Sequence, residues 1–238
     1  MIRQLILAMF FTSLCISGEN DLRTDTYIGT AVDLKSGVLL YTEKHEAMYD
    51  GDKHLRSKVT YYDTAKNVIA EKQIEMNGSS IATYRLEDFR YGTIEGAEPT
   101  ADGVEVFSRP RTGEEMKTEL LVIPMPTATD AGLNVLVRDF WDTLQKNEEV
   151  DFHLGVPSQL DYYHFRVMKD REEKYNERPS MVVRFESEHW YLRLFLDPVM
   201  VWYDKETRRA VKYEGISNMY NGKGKSYIVR VTFDKPGP

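Results

Sequence analysis

Four arginines stand near the middle of segments whose residues alternate as strands do: Arg166, Arg184, Arg193 and Arg230. Aromatic or hydroxyl side chains lie two positions away, as in Tyr191-x-Arg193-x-Phe195 and His164-x-Arg166. A guanidinium is a planar fork of N–H donors that can hold a carboxylate or phosphate through two bonds at once. If the strands turn these arginines onto one face, they form a basic stripe edged by aromatics, suited to an anionic amphiphile. The same residues can instead form a ladder with Glu186, Glu188, Asp197 and Glu214, because cross-strand ion pairs are routine on exposed sheet faces.

Other chemistries find less support. There is no Gly-x-Ser-x-Gly elbow, and Cys15 is the one cysteine, so no catalytic residue is assigned. His153 and His164 flank a turn at Pro157 and can face each other on paired strands; His45 and His54 flank Asp50-Gly51 in the same way. A zinc centre needs three or four converging ligands, so neither pair is read as a metal site. Asn221-Gly-Lys-Gly-Lys225 lacks the spacing of a phosphate-binding loop and precedes a strand, not a helix N-terminus. No cofactor is implied.

The chain has 238 residues and a formal charge of −7, a balance that disfavours nucleic acid and anionic membrane surfaces as nonspecific partners. A local basic site is still compatible with it. Arg3, the apolar run Leu5 to Ile16 and the small pair Ser17-Gly18 have the layout of a secretory signal peptide. Residues 1–18 are therefore read as a cleaved signal and 19–238 as a single β-rich domain in the periplasm. Secretion, or lipid anchoring through Cys15, is the alternative. No later segment is long and apolar enough for a transmembrane helix.

The elements that must position these residues are short strands and tight turns. Asp33 to Gly37, Asp63 to Asn67 and Asp204 to Arg208 each open on an aspartate that can cap a type I turn, and Gly37 and Asn67 tolerate the left-handed conformation. Tyr227, Val229, Val231 and Phe233 alternate with Ile228, Arg230 and Thr232; Trp190, Leu192, Leu194 and Leu196 alternate with Tyr191, Arg193 and Phe195. Loops are expected over 92–113 and 215–225. One helix is expected at about 129–145, with Leu133, Leu136, Val137, Phe140, Trp141 and Leu144 on one stripe. The fold class is mainly β (α+β): a curved antiparallel sheet, a half-barrel meander, packed around one amphipathic helix.

Several runs carry a resemblance. Gly29-Thr-Ala-Val-Asp33-Leu-Lys-Ser-Gly37, Leu40-Tyr-Thr-Glu43, Tyr61 to Glu71, Val156-Pro-Ser158, and Tyr203-Asp204 through Gly215-Ile-Ser-Asn218 are similar to an uncharacterised family of exported bacterial proteins. The architecture more loosely resembles the half-barrels of periplasmic lipoprotein carriers, which implies an apolar cavity for acyl chains and no cofactor. The resulting expectation is a non-enzymatic periplasmic protein that buries a lipid or lipoprotein acyl chain between sheet and helix. Phe140 and Trp141 would meet the tail, and Arg166, Arg193 and Arg230 the charged head. The competing expectation is an envelope protein–protein module that presents a strand edge, followed by an unrecognised hydrolase.

Overall fold

The computed structural model describes residues 22–51, 53–188 and 198–237. The signal segment with Cys15, the alternating run around Trp190 to Leu196, and Arg193 lie outside them. Among the described residues, fifteen strands form one sheet: β1 (Leu22–Asp33), β2 (Leu39–Asp50), β3 (Lys53–Tyr62), β4 (Val68–Glu75), β5 (Thr83–Asp88), β6 (Thr93–Pro99), β7 (Val104–Arg109), β8 (Lys117–Leu121), β9 (Thr127–Thr129), β10 (Val150–Val156), β11 (Asp161–Tyr175), β12 (Arg178–Ser187), β13 (Val199–Asp204), β14 (Ala210–Tyr220) and β15 (Ser226–Phe233). β1 to β8 meander outward to one edge. The chain then crosses to β9 at the other edge and meanders back until β15 pairs with β1. Every pairing is antiparallel except β9 on β10. The sheet is curved and open, as the sequence pattern predicts.

Alternation divides the two faces. Tyr41, Ala31, Val231, Tyr213, Val201 and Val183 follow one another across neighbouring strands in register, and all face the hollow. The hollow is filled from β9 onward by a 3-10 turn (Asp130–Gly132), helix α1 (Leu133–Asp139) and helix α2 (Trp141–Gln145). The expected helix is thus present but broken at Phe140, whose φ of −101° and ψ of 18° are not helical. Leu136, Val137, Trp141 and Leu144 are buried as the stripe requires, against Met181, Val183, Val201 and Tyr203. Val135 lies off that stripe and is buried too, in the cluster built by β1 to β8 with β14 and β15. The helix therefore bridges two apolar clusters instead of resting on one. Its last carbonyl, on Gln145, accepts from Lys169 Nζ at 3.0 Å, which places a cation at the negative end of the helix.

The turns follow the aspartates. Asp33 Oδ1 accepts from the Ser36 amide, Asp63 Oδ1 from Ala65 and Asn67, and Asp204 Oδ1 from Glu206 and Thr207. Gly37 takes the left-handed conformation as expected, whereas Lys66 takes it instead of Asn67, and Arg208 takes it in the third turn. Side-chain hydrogen bonds to the opening aspartate set these turns more strongly than the identity of the closing residue. The expected loop 92–113 holds the β6–β7 hairpin, and the expected loop 215–225 shrinks to 221–225 because β14 runs on through Gly215. Glycine misleads in both places. A Cβ on Gly96 would lie 2.3 Å from the Phe107 ring, so this glycine makes room inside a strand and does not end one.

The connection before the helix is held by side chains that imitate a strand. Thr129 Oγ1 accepts from the Ala82 amide and donates to the Ala82 carbonyl, both at 2.9 Å, and the Thr129 amide donates to the Ser80 carbonyl. Thr129→Val keeps the shape and strands two buried backbone groups. Urea unfolding should show a loss of about 2 kcal/mol; a loss within error of zero would mean that the Ala82 groups find other partners.

Candidate functional site

A cavity of about 690 Å³ opens at the end of the hollow where β1 begins and β2 ends. Arg23 and Tyr49 are directly opposite on those strands, and His54 opposes Tyr49 on β3. Met76 and Gly78 follow β4, Val135 and Arg138 come from α1, and Glu206, Thr207 and Arg209 come from the β13–β14 turn. Sheet, helix and turn thus each supply one wall.

The wall chemistry is basic and aromatic. Tyr49 is 2 % exposed, and the guanidinium groups of Arg23 and Arg209 lie 4.9 and 4.8 Å from its ring centre. Stacking of this kind fixes the plane of a guanidinium. Asp25 Oδ2 sits 3.7 Å from Arg23 and 3.4 Å from Arg209, so one carboxylate is shared between two cations. Arg138 is half-buried and, among the described residues, makes no hydrogen bond or ion pair. Burial is the main reason its pKa is lowered, and Arg209 adds to the effect. The Tyr49 hydroxyl is also buried without a hydrogen-bond partner. His54, bonded to Ser57 Oγ at 2.6 Å, is pushed down to about 4 by burial and then by Arg138 and Arg209. It is therefore neutral at pH 7. A buried hydroxyl without a partner and a half-buried arginine without a hydrogen bond or ion pair call for an explanation, and a bound anion supplies one.

Deeper in the hollow is a second polar group. Lys72 pairs with Asp130, whose Oδ1 accepts from Asn218 Nδ2 at 2.9 Å. Asp130 holds a φ of 25°, a strained value for a non-glycine residue. Glu95 is 6 % exposed, and burial, seconded by the charge of Asp130 and opposed by Lys72, pushes it up to about 7. On the next row, His45 Nε2 meets Glu43 Oε2 at 2.8 Å and its ring stacks on Tyr27.

The residues singled out from sequence fall on two sides of the sheet. Arg166, Arg184 and Arg230 share one face, but it is the face opposite α1 and α2. Acids are interleaved among them: Arg166 binds Glu186 and Glu149, Arg184 lies 3.6 Å from Glu186, and Arg230 donates to Glu214 at 2.7 Å. Trp141 and Phe140 are in the hollow. Trp141 is buried edge-on against Tyr203, and Phe140 is half-buried. Sheet thus separates these two aromatics from Arg166 and Arg230. His153 and His164 do face each other in register, with rings stacked 4.8 Å apart and Glu188 on His164. His45 and His54 do not meet: they oppose Val59 and Tyr49 instead.

Sequence reading missed Arg23, Arg138 and Arg209. A signal existed for two of them. Arg138 follows Val137 inside the apolar helix, and Arg209 follows a tight turn and reaches the Tyr49 ring, with Arg208 next to it over Trp141.

No family model and no curated protein matches the chain. Among solved structures it is similar to a domain described as an outer membrane lipoprotein-sorting protein from Vibrio parahaemolyticus, with 8 % identity, 89 % of this chain and 83 % of that chain covered, and a TM-score of 0.30. It is also similar to a DUF1329 family protein from Desulfovibrio piger ATCC 29098, with 7 % identity, 92 % and 85 % covered, and a TM-score of 0.29.

Proposed function

We propose that this protein is a non-enzymatic binding protein of the bacterial periplasm that holds an amphipathic, lipid-like ligand. The observation that carries the reading is the cavity at the mouth of the hollow. Its floor of Met76, Val135 and the Tyr49 ring is apolar, and its rim carries arginines. Such a site can bury a short apolar segment while a charged head meets the guanidinium edges. At about 25 cal/mol per Å² of apolar surface, even partial burial of a chain would favour binding before entropic costs are subtracted. Native mass spectrometry of the protein purified from periplasm, with solvent extraction of bound material, tests this. The expected result is a co-purifying amphiphile. Protein that emerges empty and also refuses added lipids would defeat the reading.

One observation favours a protein partner instead. β8 is an edge strand with an exposed outer surface, and Leu120, Val122 and Met125 stand beside it at 46, 75 and 71 % exposure. Edges of this kind accept an added strand. Under that reading, Leu120→Lys with Val122→Lys would abolish partner capture and leave lipid retention unchanged.

A further inference from the structure

We infer that the head recognised in this cavity is a phosphate group, held by Arg138 and Arg209 with the Tyr49 hydroxyl beside them. The inference rests on the binding reading above and adds the ligand's chemistry to it. Charge comes first. Arg23, Lys53, Arg138 and Arg209 line or rim the cavity, against Glu206 in the lining and Asp25 shared between Arg23 and Arg209. Basic side chains therefore gather here, in a chain whose total charge is −7.

Geometry narrows the choice further. Arg209 is oriented on the Tyr49 ring, so its donor edge is set before a ligand arrives. Arg138 approaches from the helix, on a different wall. Donors converging from two directions suit a tetrahedral oxyanion with several oxygens better than a planar carboxylate, which one arginine can saturate. His54, held neutral, can give or accept a hydrogen bond without adding a fifth charge. The orphaned hydroxyl of Tyr49 supplies another donor. An arginine kept half-buried without a counter-ion costs stability, and a site that needs its charge only when loaded gives a reason for retaining it.

Phosphate of this kind could belong to a lipid or to a soluble monoester, and calorimetry separates the two. Inorganic phosphate, dihexanoyl phosphatidate and dihexanoyl phosphatidylcholine are titrated into the intact protein, Arg138→Gln, Arg209→Gln and the surface control Lys58→Gln. Phosphatidate should bind most tightly and phosphatidylcholine at least tenfold more weakly. Both site variants should lose at least tenfold for phosphatidate, and Lys58→Gln should lose nothing. Arg138→Gln should melt at an unchanged or higher temperature, which a merely structural arginine would not do. Inorganic phosphate binding as tightly as phosphatidate would support the phosphate site and assign it to a soluble ligand. Equal affinity for phosphatidate and phosphatidylcholine, unaltered in Arg138→Gln, would overturn the phosphate inference and leave the carrier reading standing. Binding of neither lipid nor phosphate would remove both.

Discussion

Gly132→Ala should be among the most damaging single-methyl changes in this protein, costing about 3 kcal/mol or more. A Cβ at position 132 would stand 1.8 Å from the Ser80 carbonyl oxygen and 2.5 Å from its carbon. Backbone cannot rotate away as a side chain can, and that oxygen already accepts from the Thr129 amide. Relief requires the 3-10 turn to withdraw from residues 80–82. Withdrawal would loosen Thr129 from Ala82 and Asp130 from Lys72, and would tilt α1 off both apolar clusters. The variant should unfold at lower urea with an unchanged slope. It should also lose ligand retention out of proportion to its stability, because Val135 and Arg138 move with the helix. A midpoint equal to that of the parent protein would show that the Ser80 segment yields at little cost.

Much of the fold was legible because strand alternation and turn chemistry are local. Tyr227 to Phe233 and the three aspartate turns could be read from a few neighbouring residues, and the apolar stripe from Leu133 to Leu144 found the helix. Failures came where distant contacts overrule local habit. Gly96 and Gly215 look like loop residues until Phe107 and Val199 are brought against them. The break at Phe140 answers to a helix wedged between two clusters, which no single stripe encodes. The site was harder still. Mid-strand arginines were found on one face, but a period of two does not say which face is the hollow. The cavity arginines come instead from a strand start, a helix and a turn, three places joined only by the sheet's curvature. Even so, Arg138 stood out in principle, as a cation embedded in an apolar helix with no acid at helical spacing before it.

Glu95→Gln should stabilise the protein at pH 8 by about 3 kcal/mol and leave it almost unchanged at pH 4. Glu95 has an ordinary carboxyl value of 4.5 when unfolded and is pushed up to about 7 by burial in the fold. Between those values the unfolded chain has released the proton and the folded chain still holds it. Stability from this residue therefore falls as pH rises from 4.5 to 7, and stays low above. Glutamine is neutral throughout and escapes that loss, while the Lys72–Asp130 pair is left intact. His54 has the opposite sign. Its folded value of about 4 lies below the ordinary 6.5, so its contribution is full above 6.5 and is lost as pH falls toward 4. Over pH 4.5 to 6.5 the two slopes oppose each other, one rising with pH and one falling. Glu95→Gln should therefore expose the histidine's slope as a loss of stability on acidification, and His54→Gln should expose the acid's slope as a loss toward neutrality. Urea unfolding of each variant at half-unit steps from pH 4 to 8, subtracted from the parent curve, isolates the two residues. A Glu95→Gln difference that is the same at pH 4.5 and pH 8 would mean that the carboxyl titrates normally inside the fold, and that the hollow is wetter around Asp130 than its burial implies.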